Sequence, residues 1–314
     1  MTVLFFQNCY SLFCNNIKIL EILKINSVFR KLCLGVANII VPLVYKLTRN
    51  NPKYIIPPCC KTKKRIIASL TTFPARVNRL WIVVESILRQ SRKPDMLVLW
   101  LSKDQFSSID KLPNSLLRLQ KRGLIIKIRE NDYKSHKKYY YVLTEFPQDH
   151  LLTLDDDIIY PENTIKDILA FWQEHPECAV GRYSNQLSMN DRHEFVWHRT
   201  RTEEVGRPSN KVWIGSGGGT IYPSGCLPKL AKDINVAMDI CKTADDVWLN
   251  SMLRYNHTKI IALFKYCPLL SVLYRRDISL SSLNMGQDGL NLMQLNAVRS
   301  FCVKNGYDPY NNIN

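Results

Sequence analysis

The chain has 314 residues, of which 46% are hydrophobic, and only 12 are Gly and 15 are Pro. This is an ordinary globular composition, long enough to bury one large core with or without appendages. The formal net charge of +16 indicates anionic partners such as nucleotides, anionic lipid headgroups or nucleic acid, without choosing among them. The ten Cys residues show no C-x-x-C pair and no Cys/His zinc spacing, which excludes a zinc site of that type and favours a reducing compartment.

Residues 1–60 differ from the rest and are predicted to form a helical region followed by a linker. The most apolar stretch, residues 32–45, is interrupted by Gly35, Asn38 and Pro42. It is shorter than the roughly 18 to 20 residues that span a bilayer, so we do not expect it to cross a membrane. The start of the chain also lacks the positive n-region of a secretory signal. Cations that alternate with Ile, Leu and Phe leave two interpretations, a helix in the interface of an anionic membrane or a helical pair packed on the core.

A stretch rich in Asn, Pro and Lys predicts a boundary near residue 60. Beyond this boundary strands and helices alternate, with strands predicted at 65–70, 96–101, 124–128 and 151–154 and helices around 112–120 and 138–145. A further helix is predicted between the first two strands, with Leu80, Val84, Ile87 and Leu88 on one face. The alternation predicts an α/β fold with a Rossmann-like, mostly parallel sheet flanked by helices. Residues 259–274 are expected to be a further strand. We assign residues 61–280 to the main domain and residues 281–314 to a C-terminal helical tail.

The triplet Asp155, Asp156 and Asp157 directly follows the predicted strand at 151–154. It is therefore expected at the carboxyl end of a buried strand, where open α/β sheets bind ligands. Carboxylates packed this closely repel one another and lose hydration, so a bound divalent cation is the simplest way to stabilise them. Carboxylates turned away from the cleft, or buried in ion pairs with Lys or Arg, would contradict this interpretation.

Two other interpretations of the triplet are weaker. An EF-hand requires Gly at its sixth position and Glu at its twelfth, where this chain has Tyr160 and Lys166. Alternatively, the acids cap the next helix, with Pro161 at its first position. A cap requires one Asp rather than three, which favours the metal or phosphate site.

A glycine cluster at residues 215–219 is a second candidate for ligand binding. It lacks the Lys-Ser/Thr ending of a P-loop and the third small residue of the dinucleotide fingerprint. Glycines allow a backbone to approach a ligand closely, so we interpret Gly217 and Gly218 as part of a pocket wall. The neighbouring Trp213 either stacks on a sugar or belongs to the core.

A second acid pair, Asp245 and Asp246, precedes a predicted helix. Thr243 and Asp246 have the spacing of a capping box, which is sufficient to explain the pair taken alone. In a chain that already carries a triplet of the metal-binding type, the pair also supplies a group that can accept a proton in a displacement reaction.

These segments together resemble bacterial glycosyltransferases of the glycosyltransferase-A fold, near glycosyltransferase family 2. The similar segments are residues 68–76, 85–90, 155–157 and 245–249, and the resemblance extends over residues 64–280. It implies that residues 61–280 form the catalytic domain, that the Asp-x-Asp motif at 155–157 holds Mn²⁺ or Mg²⁺, and that the acid pair at 245–246 carries the catalytic base.

Carried over to this sequence, Asp157 with Asp155 would bind the metal, and Asp246, next to Asp245, would deprotonate the acceptor hydroxyl. The basic turn at residues 132–138 either reaches the donor or is solvated. We expect the nucleotide-sugar donor to be bound by Thr71, Thr72, Arg76, Asp132, Lys137, Asp155, Asp156, Gly217 and Gly218.

The resulting expectation is a metal-dependent, inverting glycosyltransferase. Its acceptor would be a glycan or lipid-linked sugar of a surface polysaccharide or lipopolysaccharide, and its location the cytoplasm or the inner face of the cytoplasmic membrane. A metal-dependent nucleotidyltransferase is the alternative enzyme, although the turn after the first strand lacks that class's Gly-rich basic loop. A non-catalytic basic protein that binds nucleic acid or membrane is the third class, but such a protein has no use for clustered acids, and we expect no nucleic-acid partner.

Overall fold

The computed structural model describes residues 2–12, 25–57, 64–265, 267–274, 289–311 and 313. Helices α1 (Thr2–Leu12) and α2 (Ile25–Leu47) come first. The alternating part follows, with β1 (Ile66–Thr71), α3 (Pro74–Leu88), β2 (Met96–Ser102), α4 (Asn114–Leu117), β3 (Leu124–Arg129), α5 (Lys137–Glu145), β4 (His150–Thr153) and α6 (Thr164–Glu174).

Shorter strands dominate the second half of the chain. The elements in order are β5 (Ala179–Gly181), β6 (Ser184–Met189), β7 (Phe195–His198), β8 (Val212–Ile214), β9 (Thr220–Tyr222), α7 (Ile234–Ile240), α8 (Asp245–Tyr255), β10 (Ile260–Ala262) and α9 (Leu290–Lys304).

The main sheet has seven strands in the order β10-β5-β9-β4-β1-β2-β3. Its pairs are parallel except for those of β9, which is antiparallel to both β4 and β5. A separate antiparallel sheet has the order β7-β6-β8. The prediction of a mostly parallel sheet flanked by helices is confirmed, and β9 is the exception that places the preceding glycine cluster beside β4.

The central strands are apolar on both faces because helices cover both sides of the sheet. In β1, Ile67, Ala68 and Leu70 are fully buried, and most of β2 is buried as well. Two clusters of buried side chains result, one on each face of the sheet. This packing fixes the strand ends, and the site is built on those ends.

Three local expectations differ from the structure, and a fourth concerns residues that the structure does not describe. Residues 112–120 form only the single turn α4, followed by a 3-10 helix at Arg118–Arg122 that ends at Gly123 with φ +104°. Only residues 260–262 of the predicted strand at 259–274 are regular. Helix α6 begins at Thr164 rather than at Pro161. The boundary near residue 60 lies outside the described residues.

Helix α2 is longer than expected from the sequence. It runs without interruption through Gly35, Asn38 and Pro42 for 23 residues. Among the described residues it is the one helix long and apolar enough to cross a membrane, judged by length and composition. The argument that this stretch is too short to span a bilayer is therefore wrong, because the helix includes the flanking residues as well.

Candidate active site

The candidate site lies at the carboxyl edge of the parallel strands β1 and β4. These strands are neighbours with Ser69 opposite Thr153, so the residues that follow them emerge side by side. The antiparallel β9 starts opposite the end of β4, with Thr220 paired to Thr153. The turn after β1, the Asp triplet and the glycine cluster therefore meet at one edge of the sheet, as parallel strand geometry requires.

Asp156 is the buried member of the triplet. Its carboxylate accepts hydrogen bonds from Thr72 Oγ1 and from Arg76 Nη1, both at 2.6 Å. Burial raises the pKa of the Asp156 carboxyl, although Arg76 opposes the rise. Asp156 is 6% exposed, so it holds Thr72 and Arg76 in place and does not face a donor in the cleft.

Asp155 and Asp157 face the cleft instead. Their side chains are 39% and 30% exposed, and each has one oxygen in an ion pair, with Lys138 at 2.7 Å and with Arg76 at 2.9 Å. Asp155 Oδ2 and Asp157 Oδ1 accept no hydrogen bond from the part of the chain that the structure describes. Burial and repulsion by Asp155 raise the pKa of Asp157 to about 7. The negative charge of the two carboxylates is thus only partly balanced by Lys138 and Arg76.

Lys138 connects the triplet to the second acid pair. Its Nζ lies 2.7 Å from Asp155 and 3.0 Å from Asp245, and its side chain is 3% exposed. The two carboxylates raise the Lys138 pKa although burial opposes the rise. Asp245 also accepts a hydrogen bond from Ser216 Oγ at 2.5 Å. This carboxylate therefore has a structural role, because its contacts join Lys138 and the glycine cluster to the start of α8.

Asp246 differs from Asp245 although the two are adjacent. Its Oδ1 accepts a hydrogen bond from the backbone N–H of Val247 at 2.9 Å, near the start of α8. Burial and repulsion by Asp245 raise the pKa of Asp246 to about 7. A carboxylate with this pKa accepts a proton near neutral pH, which suits a general base. The capping-box interpretation is wrong, because Ala244 occupies the N-cap position of α8.

The glycine cluster forms a wall against the triplet. Gly217 accepts a hydrogen bond from the backbone N–H of Asp155 at 3.2 Å and another from the hydroxyl of Tyr160. A Cβ atom at Gly217 would lie 1.6 Å from Asp155 Oδ2, so only glycine fits there. Gly218 is packed against Tyr183, where a Cβ atom would lie 2.5 Å from Tyr183 Cβ. Trp213 is 3% exposed and belongs to the core.

Asp132 and Lys137 form a separate ion pair. Asp132 also binds Lys134 Nζ at 2.5 Å and Gln105 Nε2 at 3.0 Å. Desolvation lowers the pKa of Lys137, and its side chain is 2% exposed. Among the described residues no hydrogen bond or ion pair joins this cluster to the triplet. The structure therefore does not place Lys137 on the acids, and the neighbouring Lys138 takes that position.

A segment after β10 fastens the backbone of the triplet. Val272 N–H donates to Asp157 O at 2.7 Å, and Ile159 N–H donates to Leu270 O at 2.8 Å. The hydroxyl of Tyr274 donates to Asp156 O at 3.2 Å, and the Arg76 guanidinium lies 5.3 Å from the centre of the Tyr274 ring. We call residues 269–274 the clamp segment.

The charge balance at this edge favours a divalent cation beside Asp155 and Asp157. Five carboxylates at this edge share two cations, Arg76 and Lys138, so positive charge is in deficit. The described residues contain no group of three His, Cys, Asp or Glu side chains that could hold a metal. Mg²⁺ sites of the phosphate-transfer type use only one or two carboxylates and complete the coordination with substrate phosphates and water. Asp156 and Asp245, in contrast, are buried in ion pairs and are unsuitable as ligands.

Sequence reasoning missed four contributors, namely Ser216, Tyr160, Tyr274 and the bridging role of Lys138. The signal for Lys138 was its place at the start of a helix before the triplet, but Lys137 has the same local context. The two residues are adjacent in α5, and Lys137 binds the nearby Asp132, whereas Lys138 binds Asp155 and Asp245, which lie farther along the sequence.

Residues 67–205 match the model of the glycosyl transferase family 64 domain. This stretch contains β1, the turn with Thr72 and Arg76, and the Asp triplet. It therefore carries a glycosyltransferase domain, and the prediction of a glycosyltransferase is confirmed. The matching model is that of family 64, whereas the motifs had suggested the neighbourhood of family 2. The match covers less than half of the chain and ends before Asp245 and Asp246.

Two solved structures are distantly similar to this chain. The mannosyltransferase PcManGT from Pyrobaculum calidifontis, in complex with GDP-Man and Mn²⁺, is 14% identical with a TM-score of 0.48, covering 90% of this chain and 78% of that one. Residues 1–349 of S. aureus TarS in complex with UDP are 14% identical with a TM-score of 0.42, covering 64% of this chain and 58% of that one. Similarity at this level does not carry a shared substrate. No curated protein matches the sequence significantly.

Proposed function

We propose that this chain transfers a glycosyl group from a nucleotide-sugar donor to a hydroxyl group of a glycan or lipid-linked sugar. The observation that carries the proposal is the position of Lys138 Nζ between Asp155 and Asp245. This contact joins the end of β4 to the start of α8. The donor diphosphate is expected at the end of β4, and the second acid pair lies at the start of α8. The site therefore has both groups that a displacement at a phosphate-bearing carbon needs.

Asp155 and Asp157 would hold Mn²⁺ or Mg²⁺ with their outer oxygens. When bound, such an ion neutralises negative charge on the leaving diphosphate. Arg76 and Lys138 keep the same carboxylates in place from the protein side. Gly217 lets the Asp155 carboxylate lie directly against the loop backbone, because no Cβ atom occupies that position.

Asp246 is proposed as the general base. It takes the proton of the acceptor hydroxyl while the hydroxyl oxygen forms a bond to the anomeric carbon of the donor. The bond from that carbon to the diphosphate oxygen breaks, and its electron pair leaves with the nucleoside diphosphate. Attack from the face opposite the leaving group inverts the anomeric configuration. Asp245, held by Lys138 and Ser216, positions Asp246.

A thermal-shift screen tests the proposal. The full chain is heated with UDP-, GDP-, CMP- and dTDP-sugars, each with and without Mn²⁺. A donor that binds the folded state raises the melting temperature by mass action, and we expect a rise that requires the metal for one nucleotide class. Asp157→Ala should abolish the metal-dependent part of the shift. No shift with any donor, or a shift that Asp157→Ala leaves unchanged, would contradict the assignment.

A product assay completes the test. With the donor class found in the screen, release of nucleoside diphosphate in the presence of glycan or lipid-linked acceptors should depend on the acceptor. Surface polysaccharide or lipopolysaccharide synthesis remains the pathway that we propose for such an acceptor. Release of pyrophosphate instead would indicate a nucleotidyltransferase.

A further inference from the structure

Helix α2 carries an exposed apolar face. Eight of the exposed large hydrophobic side chains lie on this one helix. Six of them follow helical spacing and form a single stripe, with 40% to 85% of each side chain exposed, namely Val28, Leu32, Val36, Ile39, Leu43 and Leu47. A soluble protein rarely exposes so continuous an apolar surface without a partner.

The opposite face of α2 is fixed to the catalytic domain. Ala37 and Val41 are fully buried there, and Tyr45 is 2% exposed with the Arg89 guanidinium 4.4 Å from its ring centre. Asn38 Nδ2 donates to Ser271 O at 2.9 Å, and Asn38 Oδ1 accepts from Leu273 N–H at 2.9 Å. A helix held in this way cannot cross a bilayer without breaking these contacts, but it can lie flat on one.

Cations collect at the carboxyl end of the stripe. A surface cavity of about 410 Å³ is lined there by the side chains of Trp81 and Ile55 and by the cations Lys46, Arg49, Arg118, Lys121 and Arg122. Arg122 is neutralised by Glu85 at 2.5 Å. Lys46, Arg49, Arg118 and Lys121 are exposed and form no ion pair with any other described residue. The cavity thus combines an apolar wall with free positive charge.

We propose that α2 lies in the interface of an anionic lipid bilayer, with the apolar stripe among the acyl chains and the cavity cations on the phosphates of lipid headgroups. Charge complementarity favours this occupant over a second copy of the chain. Pairing of two stripes would instead bring together two copies of a protein that each carry a net charge of +16 and therefore repel each other. Apolar insertion and electrostatic attraction reinforce each other at an anionic membrane. This inference does not depend on the proposed reaction.

Co-sedimentation with vesicles tests the apolar stripe. The full chain is mixed with vesicles of phosphatidylcholine alone or with added phosphatidylglycerol. We expect binding to the anionic vesicles, and binding on the order of a hundredfold weaker for Ile39→Gln/Leu43→Gln, because each side chain loses its apolar contact with lipid. Met293→Gln/Val303→Gln changes two exposed apolar residues of α9, so it serves as the matched control and should bind like the unmodified chain.

A charge variant tests the cavity. Arg49→Gln/Lys121→Gln should weaken binding to anionic vesicles by roughly fivefold per removed charge, and salt should weaken binding of the unmodified chain. Lys166→Gln/Lys304→Gln removes two exposed cations elsewhere and should have little effect. Inorganic phosphate should displace the protein no better than chloride at equal ionic strength. Stronger displacement by phosphate would indicate a site for a free anion and overturn the lipid assignment.

Three further outcomes would overturn the proposal. Equal binding to neutral and anionic vesicles would show that the cavity cations do not contribute to membrane binding. A dimer in light scattering that Ile39→Gln/Leu43→Gln dissociates would assign the stripe to a second copy. Retention on vesicles after an alkaline carbonate wash would indicate a helix that crosses the bilayer. Circular dichroism and thermal melting check that each variant is folded, which we expect because all substituted side chains are exposed.

Discussion

Two adjacent carboxylates at the start of α8 have opposite properties because their surroundings differ. The Lys138 ammonium lowers the pKa of Asp245 although burial opposes the change. Burial and the charge of Asp245 raise the pKa of Asp246 to about 7. When the pKa values of two neighbouring acids are separated in this way, the acid with the lower pKa commonly stays ionised and positions the site, and the acid with the higher pKa accepts the proton. Asp245 holds the site and Asp246 is the candidate base.

The base assignment predicts the result of a single atom exchange. Asp246→Asn keeps the size and polarity of the side chain but cannot accept the proton. We expect turnover to fall by a factor of roughly 10² to 10⁴, which is the usual contribution of a general base, while donor binding in the thermal-shift assay survives. Asp239→Asn, on the exposed side of α7, is the matched control and should retain activity. An active Asp246→Asn enzyme would exclude this residue as the base.

The same pKa predicts the pH dependence. Because Asp246 acts in its deprotonated form and its pKa is about 7, kcat/KM should rise with pH through this value and level off above it. Since Asp245 and Asp246 interact, the midpoint belongs to the pair rather than to one acid. The measurement is a pH profile at saturating metal. A profile that is flat between about pH 5 and pH 8 would be inconsistent with a base whose pKa is raised from the ordinary carboxylate range.

Lys138 predicts a large effect on stability. Lys138→Met removes the buried cation between Asp155 and Asp245 and leaves both carboxylates without compensation. The expected loss is about 3 to 5 kcal/mol of unfolding free energy, measured by urea denaturation at neutral pH. Lys103→Met breaks the exposed pair with Glu130 and should cost less than about 1 kcal/mol. Equal effects of the two substitutions would show that Lys138 is not a central support of the site.

At the scale of elements, the loop between β8 and β9 sets the space beside the triplet. Gly217→Ala places a Cβ atom 1.6 Å from the present position of Asp155 Oδ2, so either the carboxylate or the loop must move. We expect weaker metal-dependent donor binding together with a lower melting temperature. Gly35→Ala on α2 has no atom within 4 Å of the new Cβ and should be neutral or slightly stabilising. If Gly217→Ala binds the donor as the unmodified chain does, the loop between β8 and β9 does not contribute to donor binding.

Long periodic elements were predictable from the sequence, whereas short ones were not. Strands β1 and β2 are continuous apolar runs between turn residues, and α3 has a clear apolar face, so local pattern and tertiary environment agree. Strand β10 has only three regular residues, because the chain then leaves the sheet and Ser271 pairs with Ile158, the residue after the triplet. The point where the chain leaves the sheet depends on residues far away in the sequence, so the hydrophobic pattern of the segment does not indicate it.

The candidate site also has parts that were predictable from the sequence and parts that were not. The Asp triplet and the turn with Arg76 were predictable because strand ends of parallel sheets bind ligands. The choice of Lys138 over Lys137 was not predictable, since both are buried and lie in one turn of α5. The partner of Lys137, Asp132, lies five residues earlier in the chain, whereas Asp155 and Asp245 are brought to Lys138 by the packing of the domain.

Across the whole molecule, a chain of contacts links the N-terminal helix to the site. Asn38 on α2 binds the backbone of Ser271 and Leu273 in the clamp segment. The clamp segment in turn binds the backbone of Asp157 through Val272 and that of Asp156 through Tyr274. Through these contacts α2 supports the strand end that carries the triplet. The surface of α2 that we propose to contact a membrane is therefore two hydrogen-bonded steps away from the candidate donor site.

This link predicts that Asn38→Leu affects both stability and donor binding. The substitution removes the hydrogen bonds to the Ser271 carbonyl and to the Leu273 N–H, at a cost of about 0.5 to 1.5 kcal/mol for each bond. The loosened clamp segment should also weaken donor binding several-fold, which is measured by titrating the donor in the thermal-shift assay. Asn296→Leu is the matched control, because both asparagines donate to the carbonyl four residues earlier, at 2.9 and 3.0 Å, and only Asn38 reaches the clamp segment. If Asn38→Leu lowers stability and leaves donor affinity unchanged, α2 is a structural support whose contacts end at the clamp segment.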